Sequence, residues 1–167
     1  MSDVASGEIL VADHNGVYVI RMSGDVRLTL CVSFDQYIED LISRKSFFTV
    51  LFDMSDVQGM DSTTLGLVAK LAVKSVEHKQ MKPWIICNDP NIQRLLTTMG
   101  LDEVCELMDA PPADYCENSA FVSLPEDHSV AEDLVKAKVL ESHCVLMGLN
   151  ESNRATFQDL VHTLKCG

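Results

Sequence analysis

A chain of 167 residues in which 47% of side chains are hydrophobic can bury one sizeable core, so a single domain with at most an appendage is expected. Its 13 Lys and Arg against 25 Asp and Glu leave a net charge of −12, which argues against nucleic acid or an anionic membrane as partner and favours a basic protein surface. No stretch reaches the ~20 apolar residues of a membrane span, and the first ten residues lack a signal-peptide core, so a cytoplasmic location without membrane insertion is expected.

In chain order, residues 9–11 and 17–22 read as two short strands divided by Asp13-His14-Asn15-Gly16, a polar cluster that suits a hairpin turn. Leu30, Phe34, Tyr37 or Ile38, Leu41 and Ile42 then recur at helical spacing, with Asp35, Glu39 and Asp40 on the opposite side. Residues 47–52 form a nearly continuous apolar run, expected as a central strand covered by helices on both faces. The run is expected to break into a polar turn near Asp53 and Asp56 and to restart at Ser62 as a helix reaching about Lys79. Pro83 fixes the approach to a strand over residues 84–87, in which Trp84 reads as buried packing. Asn88-Asp89-Pro90 reads as a turn and cap before a short helix through Ile92, Leu95, Leu96 and Met99, closed by Gly100. Residues 101–108 return as a last strand-like segment. The order β-β-α-β-α-β-α-β predicts an α/β fold, a mixed sheet packed with helices.

The six cysteines have no Cys-x-x-Cys spacing and the five histidines no metal-ligand spacing, and neither a Gly-rich phosphate loop nor a Gly-x-Ser-x-Gly elbow occurs. No enzyme, metal site or cofactor is therefore expected. Asp53, Asp56 and Asp61 could be taken for a catalytic carboxylate cluster, but aspartate is favoured in turns for its backbone hydrogen bonds alone. The feature that stands out is Asp61-Ser62 at a helix start. There a hydroxyl lies beside unpaired backbone N–H groups and the positive end of the helix dipole, where a phosphate is well received. Helix capping without regulation is the plain alternative for these two residues.

Three segments resemble the STAS domain of anti-sigma factor antagonists: the strand Leu51-Phe52-Asp53-Met54-Ser55-Asp56-Val57, the motif Asp61-Ser62-Thr63-Thr64-Leu65-Gly66, and Arg94-Leu95-Leu96-Thr97-Thr98-Met99-Gly100-Leu101. The resemblance implies a STAS-like domain over residues 1–109 and makes Ser62, with Thr63 second to it, the residue phosphorylated by a partner kinase. It implies partner switching, in which the unphosphorylated surface binds an anti-sigma factor or serine kinase and a phosphatase restores that state. Asp25, Arg27, Asp56, Met60, Asp61, Ser62, Thr63, Thr64 and Leu65 are the partner-binding residues expected on this basis. Thr64 stands where the family usually has Gly, and Arg27 where it usually has a carboxylate, with Asp25 two residues earlier. An Arg27 that approached Ser62 could pair with a phosphate there. STAS-like domains also serve as non-switching accessory or scaffold subunits, for example in ABC-type lipid transport complexes, and that reading stands as the alternative.

Beyond Met108, the Pro- and Asp-containing stretch 110–127 reads as a linker. Over residues 128–167, Val130, Leu134, Ala137, Leu140, Cys144 and Met147 step by three and four. A break is expected at residues 150–153, before a second helix through Phe157, Leu160, Val161 and Leu164. Such a helical hairpin must bury its apolar faces on the domain, on a second copy as a homodimer, or on an output protein. Packing on the domain is the preferred expectation.

Overall fold

The computed structural model describes residues 4–113 and 120–166. The expected hairpin is present: β1 (Glu8–His14) and β2 (Val17–Val26) pair antiparallel across Asn15 and Gly16, both at positive φ. The Asp13 side chain accepts from the Gly16 N–H at 2.9 Å and fixes the turn. Next come α1 (Cys31–Ser43), β3 (Thr49–Met60), α2 (Ser62–Lys79), β4 (Trp84–Ile86), α3 (Pro90–Thr98) and β5 (Glu106–Met108). The chain continues with β6 (Val122–Ser123), α4 (Glu132–Met147) and α5 (Glu151–Cys166).

Among the described residues the strands form one mixed sheet in the order β5-β4-β3-β2-β1-β6. β2, β3, β4 and β5 are parallel neighbours, and β1 is antiparallel to both β2 and β6. The stretch expected as a linker thus contributes an edge strand, with Leu10 opposite Ser123 and Val11 opposite Val122. It is fastened again just afterwards, where Ser33 Oγ donates to the Pro125 carbonyl at 2.7 Å and Thr29 Oγ1 to Glu126 at 3.2 Å.

The main core joins Ile20, Phe52, Met54 and Ile85 of the sheet to Phe34 and Ile38 of α1, Leu67 and Leu71 of α2, and Leu96 of α3. Strand alternation turns Val19, Leu51 and Ile86 to the other face. There the covering groups are Met108, Phe121 and the Arg21 guanidinium, 4.2 Å from the Phe121 ring centre. The apolar run of β3 is therefore buried on both faces, as expected, but this second cluster contains no helix residue among the described ones.

Three local expectations are corrected. β3 does not turn at Asp53: it runs on to Met60 because β2 continues beside it to the Val26–Met60 pair, through irregularities near Ser23 and Gly24. Residues 101–108 are a short 3-10 turn, Leu101–Glu103, followed by the three-residue β5. Trp84 is 41% exposed at the first residue of β4, not buried packing.

Candidate functional site

β3 delivers the chain to Asp61, whose extended backbone makes it the N-cap of α2. One carboxylate oxygen accepts from the Thr64 N–H and from Thr64 Oγ1, both at 2.8 Å, and the other accepts from the Leu28 N–H at 2.7 Å. Asp61 therefore caps the helix and ties it to the loop after β2. Thr64 fits this turn, since its hydroxyl adds a second bond to the cap.

Ser62, the first residue of α2, is half-buried, and its Oγ lies 2.7 Å from Nε2 of His143 on α4. His143 Nδ1 is 2.6 Å from the Val139 carbonyl, which can only accept. A proton therefore sits on Nδ1, and Nε2 shares the second hydrogen bond of the ring with the Ser62 hydroxyl. The imidazole is 2% exposed and meets the Phe157 ring of α5 edge-on at 4.9 Å.

Four residues along, α2 and α4 touch backbone to backbone. A Cβ on Gly66 would stand 2.4 Å from the Ser142 carbonyl oxygen, so only glycine permits this approach. One turn further, Lys70 Nζ reaches Asp35 at 2.7 Å and Glu39 at 2.6 Å, and also bonds Glu141; Lys138 pairs with the other Asp35 oxygen at 2.6 Å. Burial works against the Lys70 charge, but the hydrogen bonds it donates to Asp35, Glu141 and Glu39 outweigh it and hold its pKa above the usual lysine range. The Asp35, Glu39 and Glu141 oxygens are close enough together to hold a cation, and the lysine ammonium is the charge that meets them.

The residues expected to bind a partner fall in three places. Arg27 is exposed and gives its guanidinium to Asp25 at 2.9 Å, and those two join Asp61 and Ser62 in one neighbourhood. Met60, Thr63, Thr64 and Leu65 are buried, between 1% and 9% exposed. Asp56 is exposed but lies earlier on β3, roughly 15 Å from Asp61 at the rise of an extended chain. His143, Ser142 and the Lys70 ion-pair cluster escaped the sequence reading. His143 is 81 positions from Ser62, and no local spacing signals such a contact.

The sequence profile of the STAS domain matches residues 8–111, from the start of β1 to just past β5. The chain belongs to the STAS domain family. It is 27% identical over 107 residues to the anti-sigma-F factor antagonist RsfB of Mycobacterium tuberculosis, spanning 64% of this chain and 85% of that protein. The crystal structure of an anti-sigma factor antagonist from Mycobacterium paratuberculosis is similar with a TM-score of 0.54 and 25% identity, over 63% of this STAS chain and 87% of that one. Bacillus SpoIIAA in its phosphorylated form shares the fold, with a TM-score of 0.52 and 20% identity over 62% and 91% of the two chains. α4 and α5 lie outside the residues matched by the STAS profile. No helix among the described residues is long and apolar enough to cross a membrane.

Proposed function

We propose that this STAS protein is an anti-sigma factor antagonist that works by phosphorylation-controlled partner switching. Unphosphorylated, the surface around Ser62 and α2 binds an anti-sigma factor with serine kinase activity and frees the sigma factor it was holding. Phosphate on Ser62 ends that complex, and a phosphatase restores it. The chain's own part is binding, and requires no catalysis from it.

The observation that carries this reading is the position of Ser62, directly after the Asp61 cap at the start of α2, in a chain related to anti-sigma factor antagonists. A phosphate there brings about −1.5 to −2 charges to the edge of a protein whose net charge is already −12, so repulsion and desolvation fall on the partner interface. The helix N-terminus offsets part of that cost within the fold. The domain thus stays folded while the complex fails. Asp25, Arg27 and Asp61 supply the polar rim of the surface, and Asp56 its outlying part.

Mass spectrometry of the protein taken from its native cells tests the proposal. Phosphate is expected on the peptide that contains Ser62, absent from Ser62→Ala and not transferred to Thr63. The buried His143 contact over Ser62 favours the second reading, a non-switching accessory or scaffold subunit. Absence of phosphate under every growth condition would establish that reading in place of the first.

A further inference from the structure

The face of α2 that presents Ser62 is covered by a helix of the same chain, and the cover is of an unusual kind. On α4 the fully buried positions are Ser142, His143 and Leu146, while Leu134, Ala137 and Cys144 are exposed. At its Ser62 end the contact is built from a serine, a histidine and ion pairs and closed by the glycine at position 66, while Leu146 and Phe157 add apolar packing on the main core.

We infer that the outer face of α2, with Ser62 at its start, is a helix-docking surface that the chain's own α4–α5 hairpin occupies, and that a phosphate on Ser62 and the docked hairpin exclude each other. The inference rests on the reading of Ser62 as phosphoacceptor and adds a competitor in cis. At 2.7 Å from Nε2, the Ser62 Oγ points its hydroxyl at the imidazole, so a phosphorus replacing that hydrogen in the same orientation would stand on the ring. The ring cannot step aside alone. Its Nδ1 is held by the Val139 carbonyl at 2.6 Å, its edge lies against Phe157, and it is 2% exposed. His143 therefore moves with α4, and the close contact between Gly66 and Ser142 means that α4 moves away from α2 as a whole. The exclusion also works in reverse: while the hairpin is docked, an enzyme approaching Ser62 meets α4. Thr63, Gly66 and Lys70, all buried in the closed form, lie on the helix that the hairpin covers.

Hydrogen exchange read by mass spectrometry on the full-length chain tests this, with phosphoserine installed at position 62 during translation so that no kinase is needed. Peptides spanning residues 132–147 are expected to lose at least tenfold in protection relative to the unmodified chain, while peptides of β2 and β3 keep theirs. Gly66→Ala, which places a methyl group against Ser142, is expected to free the same peptides without any phosphate. Unchanged or greater protection of α4 in the phosphoserine chain would overturn the inference, since it would mean that the phosphate and the docked hairpin coexist. Because the phosphate is installed, this result is separate from whether cells ever modify Ser62.

Discussion

Asp61 concentrates more structural bonds than any other residue near the candidate phosphoacceptor. Its two oxygens satisfy the Thr64 N–H and hydroxyl and the Leu28 N–H, so truncation removes a helix cap and frees a loop together. Asp61→Ala is expected to lower stability by about 2 kcal/mol in urea unfolding, with Asp61→Asn losing less because one amide oxygen can still cap. Lys70 is the second sensitive position. It is 7% exposed beside an Asp35 that is 2% exposed, and Lys70→Met leaves that buried carboxylate with Lys138 alone. A loss of about 3–5 kcal/mol is expected for the single change, with most of it recovered in Lys70→Met/Asp35→Leu. The capping role of Asp61 could be read from the sequence because capping is a local chemistry of adjacent residues. The Asp35–Lys70–Glu141 cluster could not, because its members come from three helices.

At the scale of elements, the hairpin of α4 and α5 was legible as two helices but not in its orientation. The apolar steps Leu134, Ala137, Leu140 and Cys144 predicted the buried stripe, yet Leu134 is 42% exposed and Cys144 is exposed. The stripe is rotated because α4 meets α2 at Gly66 and Lys70, where Ser142 and Glu141 fit a small and a charged position, so that Leu146 rather than Leu134 is the buried leucine. The second helix begins at Glu151 instead of after Asn153. Asn153, 3% exposed, donates from its amide nitrogen to the Met99 and Leu146 carbonyls, both at 2.8 Å, and so joins α5 to the ends of α3 and α4. Asn153→Ala is expected to cost about 1–3 kcal/mol through the two lost hydrogen bonds, with the Leu146 carbonyl keeping its backbone donor, the Leu149 N–H at 3.1 Å. The check is local: exchange across residues 151–166 should rise while the sheet stays protected.

For the molecule as a whole, the α/β alternation specified the sheet correctly because each helix returns the chain to a parallel strand. The strand β6 was missed, since two residues in a Pro- and Asp-rich stretch carry no periodicity. The global stability also has a predictable response to alkali. Burial pushes the Cys105 thiol up to about 12 and the Tyr37 phenol to about 12, whereas their unfolded values lie near about 8.5 and 10. The folded chain keeps protons that the unfolded chain releases, so this stability is complete below about pH 8.5 and is lost as pH rises towards 12. Lys70 acts in the same direction above about pH 10.4, the pKa of an unperturbed lysine. Urea midpoints should fall between pH 8.5 and 11, and Cys105→Ala should flatten the early part of that decline.

The fastening of residues 122–126 sets the arithmetic of competition. With β6 in the sheet, Pro125 bound to Ser33 of α1 and Glu126 to Thr29 just before it, only residues 127–131 are left as a leash, a reach of roughly 17 Å. A hairpin on so short a leash faces α2 at an effective concentration on the order of millimolar, however dilute the protein is. A free partner, whose supply varies, must outbid that fixed local rival. Signal output then depends on a threshold in partner abundance, and the length of the leash is the dial that sets it.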